Sequence, residues 1–296
     1  MDNKNTDKEW HLRLFQKSLL KRAKWRQIER MMPPMNGDAT GLDIGADNGV
    51  ISLLLRKRGG VWSSVDSDPL AVNSIRCLVG DNVALMGNGK LPFGDESFNV
   101  VVIIDMLEHL EDDGAFIKEC HRVLKPAGRL IINVPHIKKY TLLRPLRNLV
   151  GLTDKEHGHV RSGYTKNQLF HVIKDGFDVE ESTTYSRFFV EFLDIFIRLA
   201  AKKSGGTDER SSSKGLVIDE SRFEKMQKLF RVYSVLFPFF WIASQLDHLL
   251  FFTKGHSLIA KSRRRLWIPR KTPVLRDGRS IADATLNTKI GTASPF

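Results

Sequence analysis

Apolar and polar positions change period repeatedly between residues 39 and 136. Short, nearly continuous apolar runs fall at about 40–44, 61–66, 83–86, 98–104 and 129–134. Between them lie stretches with helical spacing at about 49–58, 69–78 and 113–124. A strand covered on both faces is apolar throughout, and Phe98–Ile104 has that character. Strands that alternate with helices predict a parallel sheet with right-handed crossovers. The punctuation agrees: Gly59-Gly60 ends the first of these helices, and Asp68-Pro69 gives an N-cap followed by proline at the first helical position. Lys125-Pro-Ala-Gly128 turns the chain into its fifth strand. Beyond it, Thr165 caps a helix to Lys174, Gly176–Thr184 reads as strand six, and His256–Arg263 as the last strand. Ahead of the sheet, residues 8–32 carry apolar residues at approximately helical spacing among Lys17, Lys21, Arg22, Lys24 and Arg26, and Pro33-Pro34 stops that helix.

The turn between the first strand and its helix carries the first candidate chemistry. In Thr40-Gly-Leu-Asp-Ile-Gly-Ala-Asp-Asn-Gly49, Gly45 lets backbone pass close to a ligand. Gly49 opens a helix whose free N–H groups attract an anion. Asp43 sits within the strand end, where a carboxylate is costly unless it is used. Asp66 closes the next strand 21 residues after Gly45. That spacing suits a carboxylate that accepts two ribose hydroxyls. The turn is Gly45-Ala-Asp-Asn-Gly49 and does not fit the nicotinamide fingerprint, which needs a third glycine.

With these pieces in place, residues 40–136 resemble a class I S-adenosylmethionine (SAM) dependent methyltransferase, in the small-molecule and lipid branch related to the ubiquinone-pathway enzymes. The resemblance rests on Leu42–Gly49, Val65–Pro69, Gly87–Phe93, Asp95–Val101, Leu107–Leu110 and Glu119–Gly128, in the family's order. Weaker likeness continues at His159–Thr165 and Gly255–Lys261. It implies a doubly wound, seven-stranded, Rossmann-like α/β sheet with added helices. It also implies that Asp43, Gly45 and Gly49 shape the cofactor loop, that Asp66 holds the ribose, that Asn88 and Gly89 sit by adenine, and that Asp105 lies by the amino-acid end. Ala46 and Ser67 are counted with these cofactor-binding positions. Two positions depart from the family's pattern. Asp47 stands where a second glycine is usual, and Asn88 stands where many members have an acidic residue; an Asn carbonyl still accepts a hydrogen bond.

Methyl transfer asks little of side chains, because the sulfonium already makes the methyl group electrophilic. The protein aligns the nucleophile and keeps water out. A hydroxyl or amine acceptor gains from a nearby base, and histidine suits that task near neutral pH. His109 and His136 are the catalytic candidates, with His157 and His159 in reserve. Helix-start chemistry is an equal reading for Glu108 and His109. His157-Gly-His159 lacks further ligands at a familiar spacing, so no metal is expected.

Residues 137–160 read as a basic, irregular loop, expected to cover the acceptor pocket. Residues 186–253 are the informative insertion. Phe188–Ala201 is amphipathic, with Glu191, Asp194 and Arg198 on one stripe. Lys203–Gly215 has loop composition. Val235-Leu-Phe-Pro-Phe-Phe-Trp-Ile-Ala243 is apolar throughout but too short for a bilayer span, which needs roughly 20 residues. These helices either cover an apolar acceptor site or dip into a membrane interface.

Charge sharpens the picture. The net charge of +12 resides at the ends: residues 1–36 carry +5, residues 254–296 carry +8, and the middle is −1. A neutral body argues against a nucleic-acid groove, while basic ends suit an anionic surface or simple solvation. Cys77 and Cys120 lack metal spacing and are expected to be buried thiols in a reducing compartment. The first nine residues have no apolar signal core, so a cytoplasmic protein is expected, with peripheral contact at the inner membrane face as the finer expectation.

The expected division is a basic N-terminal helix (1–36), a SAM-binding core (37–185), a helical insertion serving as acceptor lid (186–253), the last core strand (254–264) and a disordered basic tail (265–296). The expected function is methyl transfer from SAM to a small-molecule or lipid-linked acceptor. The alternatives are an RNA methyltransferase and, given Asp47, a non-catalytic binding protein of the same fold.

Overall fold

The computed structural model describes residues 11–87, 89–137, 160–190, 192, 234–235, 237–248 and 253–269. Its centre is a seven-stranded sheet in the order β3-β2-β1-β4-β5-β7-β6. The strands are β1 (Thr40–Ile44), β2 (Val61–Asp66), β3 (Val83–Leu85), β4 (Phe98–Ile104), β5 (Leu124–Pro135), β6 (Phe177–Tyr185) and β7 (Ser257–Arg264). The first five run parallel, and β7 lies antiparallel between β5 and β6. Strand β5 begins earlier than its apolar run, because Leu124 already pairs with Phe98 and the register then shifts before Val100. Pro126 and Gly128 therefore sit in an irregularity within the strand, where the sequence suggests a turn before it.

The helices are α1 (Leu19–Met31), α2 (Val50–Arg56), α3 (Pro69–Val79), α4 (Asp113–Val123) and α5 (Lys166–Ile173). A further helix, α6, runs to residue 245 from 237. The single helix expected over 8–32 is two: a helical stretch at 11–17 breaks at Ser18, whose hydroxyl accepts from Lys21 N and caps α1. Asp68 caps α3 ahead of Pro69, and Thr165 with Gln168 forms a complete capping box on α5.

Both sheet faces are covered, as the continuous apolar strands require. On one face, Ile28 and Met31 of α1 join Ile51 and Leu55 of α2 and Ile75 of α3 over Val100, Val102 and Ile104. On the other, Phe116, Ile117 and Cys120 of α4 and Leu169 and Ile173 of α5 pack over Leu42, Ile44, Val101 and Ile103. The alternation along β4 thus divides its side chains between two cores. Fully buried residues such as Ile28 and Met31 each contribute about 1.5–3 kcal/mol, enough to dock α1 firmly.

Two expectations change. Cys77 is exposed on α3; only Cys120 is buried. The start of the supposed tail is ordered: Arg265 N and Ile268 N donate to the carbonyls of Gly176 and Asp175, and the Trp267 ring stands edge-on to His121. The Trp267 ring also packs directly on Gly176, where a Cβ would clash with it, and this holds the segment down. The sequence masks this because the apolar run is only three residues, Leu266-Trp-Ile268, set between Arg263–Arg265 and Pro269-Arg270.

Candidate functional site

The strand order reverses between β1 and β4. The chain leaves β1 towards β2 and β3, then returns to the other side. Loops diverging from that point open a crevice at the carboxyl edge, where open α/β sheets bind ligands.

The loop after β1 is held by its backbone. Gly45 N donates to Val65 O, and Gly45 has φ +81°. A Cβ there would stand 2.5 Å from the Ile104 carbonyl oxygen, so glycine is required both by conformation and by space. Gly49 has φ +80°, and its Cβ would meet Ile75 Cα at 2.7 Å. Asp47 is also left-handed, with φ +53°. That explains why glycine would be the natural residue there; Asp is among the few others that tolerate the conformation. Asp47 pairs with Lys21 at 3.5 Å. It neither caps α2, whose N-cap Gly49 offers no side chain, nor faces solvent alone. Ala46 is buried against α1 and α2 in the face containing Ile28.

Asp43 is fully buried and accepts from the Ser52 hydroxyl at 2.5 Å and the Ser64 hydroxyl at 2.7 Å, with the Arg56 guanidinium 3.7 Å away. Burial pushes its carboxyl pKa up, and the two hydroxyls and Arg56 oppose that shift. Its carboxylate thus ties β1, α2 and β2 together beneath the glycine loop. Asp66, also fully buried, ends β2 and accepts Asp68 N at 3.0 Å. A carboxylate presents two acceptor oxygens and no donor. Ser67 beside it is exposed. Gly89 has φ +71° with open space around its Cβ position; Asn88 lies outside the described residues.

At the end of β4, Asp105 takes a left-handed φ of +44°. Its Oδ1 accepts from Asn133 Nδ2 at 2.7 Å, and Asn133 Oδ1 accepts the Tyr185 hydroxyl at 2.5 Å. The other carboxylate oxygen pairs with the Lys24 ammonium. Burial pulls the Lys24 pKa down, but Asp105, with Glu108 and Asp47 behind it, outweighs this and leaves it raised. Lys24 was read in the sequence as one of several basic residues on a helix; nothing local marks it, because its partner lies 81 residues away.

The catalytic candidates occupy the same edge on separate supports. His109 is half-buried on the single helical turn Leu107–His109. The buried Glu108 beside it accepts Val160 N at its carbonyl, which fixes this turn against the later chain. His136 follows β5 and is buried, with Nδ1 2.9 Å from the Gly255 carbonyl oxygen. A carbonyl only accepts, so Nδ1 carries a proton and donates to it. His157 and His159 lie outside the described residues, as do residues 138–159. Among the described residues, no three His, Cys, Asp or Glu side chains group as a metal site. Among them too, no helix is long and apolar enough to cross a membrane.

Residues 42–132 match a family described as methyltransferase domain. The chain is 30% identical over 118 residues to a demethylmenaquinone methyltransferase of Tropheryma whipplei, covering 39% of this chain and 49% of that protein. It is 31% identical over 143 residues to a ubiquinone biosynthesis O-methyltransferase of Idiomarina loihiensis, covering 44% and 54%. The chain thus spans about half the length of these curated relatives. Among solved structures, an S-adenosylmethionine dependent methyltransferase of Mesorhizobium loti aligns with a TM-score of 0.50 at 15% identity, covering 82% of this chain and 98% of that one. The [4+2]-cyclase SpnF aligns with a TM-score of 0.53 at 17% identity, covering 82% and 81%. At these identities the structural likeness concerns the fold alone.

Proposed function

Taking residues 42–132 as a class I SAM-dependent methyltransferase domain, we propose that the protein transfers a methyl group from SAM to a small-molecule or lipid-linked acceptor. The observation that carries the reading is the pairing of two carboxylates at the switch-point edge. Asp66 ends β2 as a buried carboxylate, the group type that suits a ribose diol, and Asp105 follows β4 and already binds an ammonium group. The second fits an α-amino group, because Lys24 presents the same chemistry to Asp105. SAM supplies the electrophilic methyl group. Asp66 holds the ribose, Asp105 the amino-acid end, and the backbone of Gly45–Gly49 lets the cofactor approach closely. Asn88 and Gly89 flank the adenine. His136, its tautomer set by Gly255, is the better-placed base for an acceptor proton, and His109 is the second candidate. The turn Leu107–His109 and the cover of α1 keep water from the edge.

The relatives' names, menaquinone and ubiquinone methyltransferases, support an apolar small-molecule acceptor over RNA. Saturable SAM binding that is lost in Asp66→Ala, followed by radiolabel transfer into an organic extract, tests the reading. Label that appears only in RNA would sink the acceptor class.

A further inference from the structure

Lys21 and Lys24 stand one turn apart on α1 and reach two different loops of the carboxyl edge. Lys21 pairs with Asp47 in the glycine loop at 3.5 Å, and Lys24 pairs with Asp105 after β4. Lys24 is the more enclosed, with 15% of its side chain exposed against 39% for Lys21. Glu108 and Asp47 add to the pull of Asp105 on its ammonium. Three carboxylates thus converge on Lys24. One of them, Asp47, occupies a left-handed position suited to glycine.

Both oxygens of Asp105 are already engaged. Oδ1 accepts from Asn133, whose own side-chain oxygen accepts the Tyr185 hydroxyl, and Oδ2 accepts from Lys24. The first bond is held between β5 and β6, so an incoming ammonium meets Asp105 at Oδ2. Two ammonium groups on one oxygen repel each other, so Lys24 gives way there. Its helix stays where it is, because Leu19 on one side of Lys24 and Ile28 and Met31 on the other are buried. Only the flexible lysine stem moves, and its charge then needs a new anion nearby. An α-amino acid carries a carboxylate one carbon away from its ammonium. The ligand that displaces Lys24 therefore brings the replacement partner with it.

We propose that Lys24 is a further specificity-determining residue of the cofactor site, binding the α-carboxylate of SAM while Asp105 binds the α-ammonium. One ion pair is exchanged for two, and no charge is left alone. The arrangement selects a zwitterion. It also offsets the repulsion that Asp47 and Asp105 exert on a carboxylate, which makes Lys24 the counterpart of the aspartate in the glycine loop. The inference rests on the methyl-transfer reading and names a further residue of the same site.

Calorimetric titration of the full chain with SAM and with decarboxylated SAM tests it. The second ligand lacks the α-carboxylate and keeps the amine and the sulfonium. The wild type should bind SAM at least about tenfold more tightly than the decarboxylated form, since one charge-assisted pair separates them. Lys24→Met should weaken SAM by at least about tenfold and bind the decarboxylated form as well as the wild type does, which also shows that its site is folded. Equal affinity of the wild type for the two ligands, or an undiminished preference in Lys24→Met, overturns the proposal. So does a variant that loses both ligands alike, whose defect is one of packing. Tighter SAM binding by Lys24→Met overturns it as well and makes Lys24 a competitor for Asp105. A wild type that binds neither ligand removes the methyl-transfer reading together with the proposal, whereas the other failures leave that reading standing.

Discussion

The two edges of the one sheet use charge in opposite ways. At the amino edge, ion pairs are peripheral: Arg122 joins Asp95 at 2.8 Å and Glu119 at 2.9 Å, and Arg264 joins Glu96 at 2.9 Å, with Asp95 and Glu96 largely exposed. At the carboxyl edge, Asp43, Asp66 and Glu108 are buried, and Asp105 is tied into a network across three strands. Left-handed backbone does not separate the edges, since Glu96 adopts it in a turn and Ala127 in the irregular start of β5. Burial does. Exposed pairs tighten a surface at little cost, whereas buried carboxylates cost desolvation and persist where folding or ligand chemistry uses them.

That contrast breaks most visibly at Gly45. Gly45→Val should destabilise the protein by about 4 kcal/mol, since a side chain would strike the Ile104 carbonyl in a left-handed conformation; a denaturant midpoint measures it. Asp43→Ala should cost about 3 kcal/mol, because it leaves two buried hydroxyls and Arg56 without their acceptor.

Lys24→Met should lose about 1 kcal/mol at pH 8, a discounted value because Asp105 is partly exposed. The sign with pH follows from the raised Lys24 pKa. The pair's stability is fully present below the lysine's ordinary value of about 10.4 and is lost as pH rises through the folded value. The gap between wild type and variant should therefore close in alkaline melts; a constant gap would show that the loss is one of packing. Glu96→Gln, at the amino edge, should change stability by about 0.5 kcal/mol or less and leave SAM binding untouched.

The halves of the molecule differed equally in how far their sequence could be read. Strands one to five and their helices follow local signals: continuous apolar runs, Asp68-Pro69, and the glycines around Asp47. The antiparallel position of β7 between β5 and β6 has no such local mark, since its pairing with β5 spans more than a hundred residues. The split of the first helix at Ser18 hid because both parts keep apolar spacing; Ser18 was the available cue. Lys24 escaped for the same reason as β7, its partner being remote in sequence. The apolar run at 235–243 was conspicuous, but its division into an inward and an outward face required the packing of Phe237 and Phe240. The carboxylates Asp43, Asp66 and Asp105 stood out as acids closing apolar strands, although the structural ties of Asp43 to Ser52 and Ser64 are tertiary.

Calorimetric titration of the wild type and Asp66→Ala with SAM tests the central claim most directly. The account predicts saturable one-site binding by the wild type and a loss of at least about 100-fold in the variant, because the proposed acceptor of two ribose hydroxyls is removed. Absence of binding by the wild type, or equal affinity in both proteins, would contradict it.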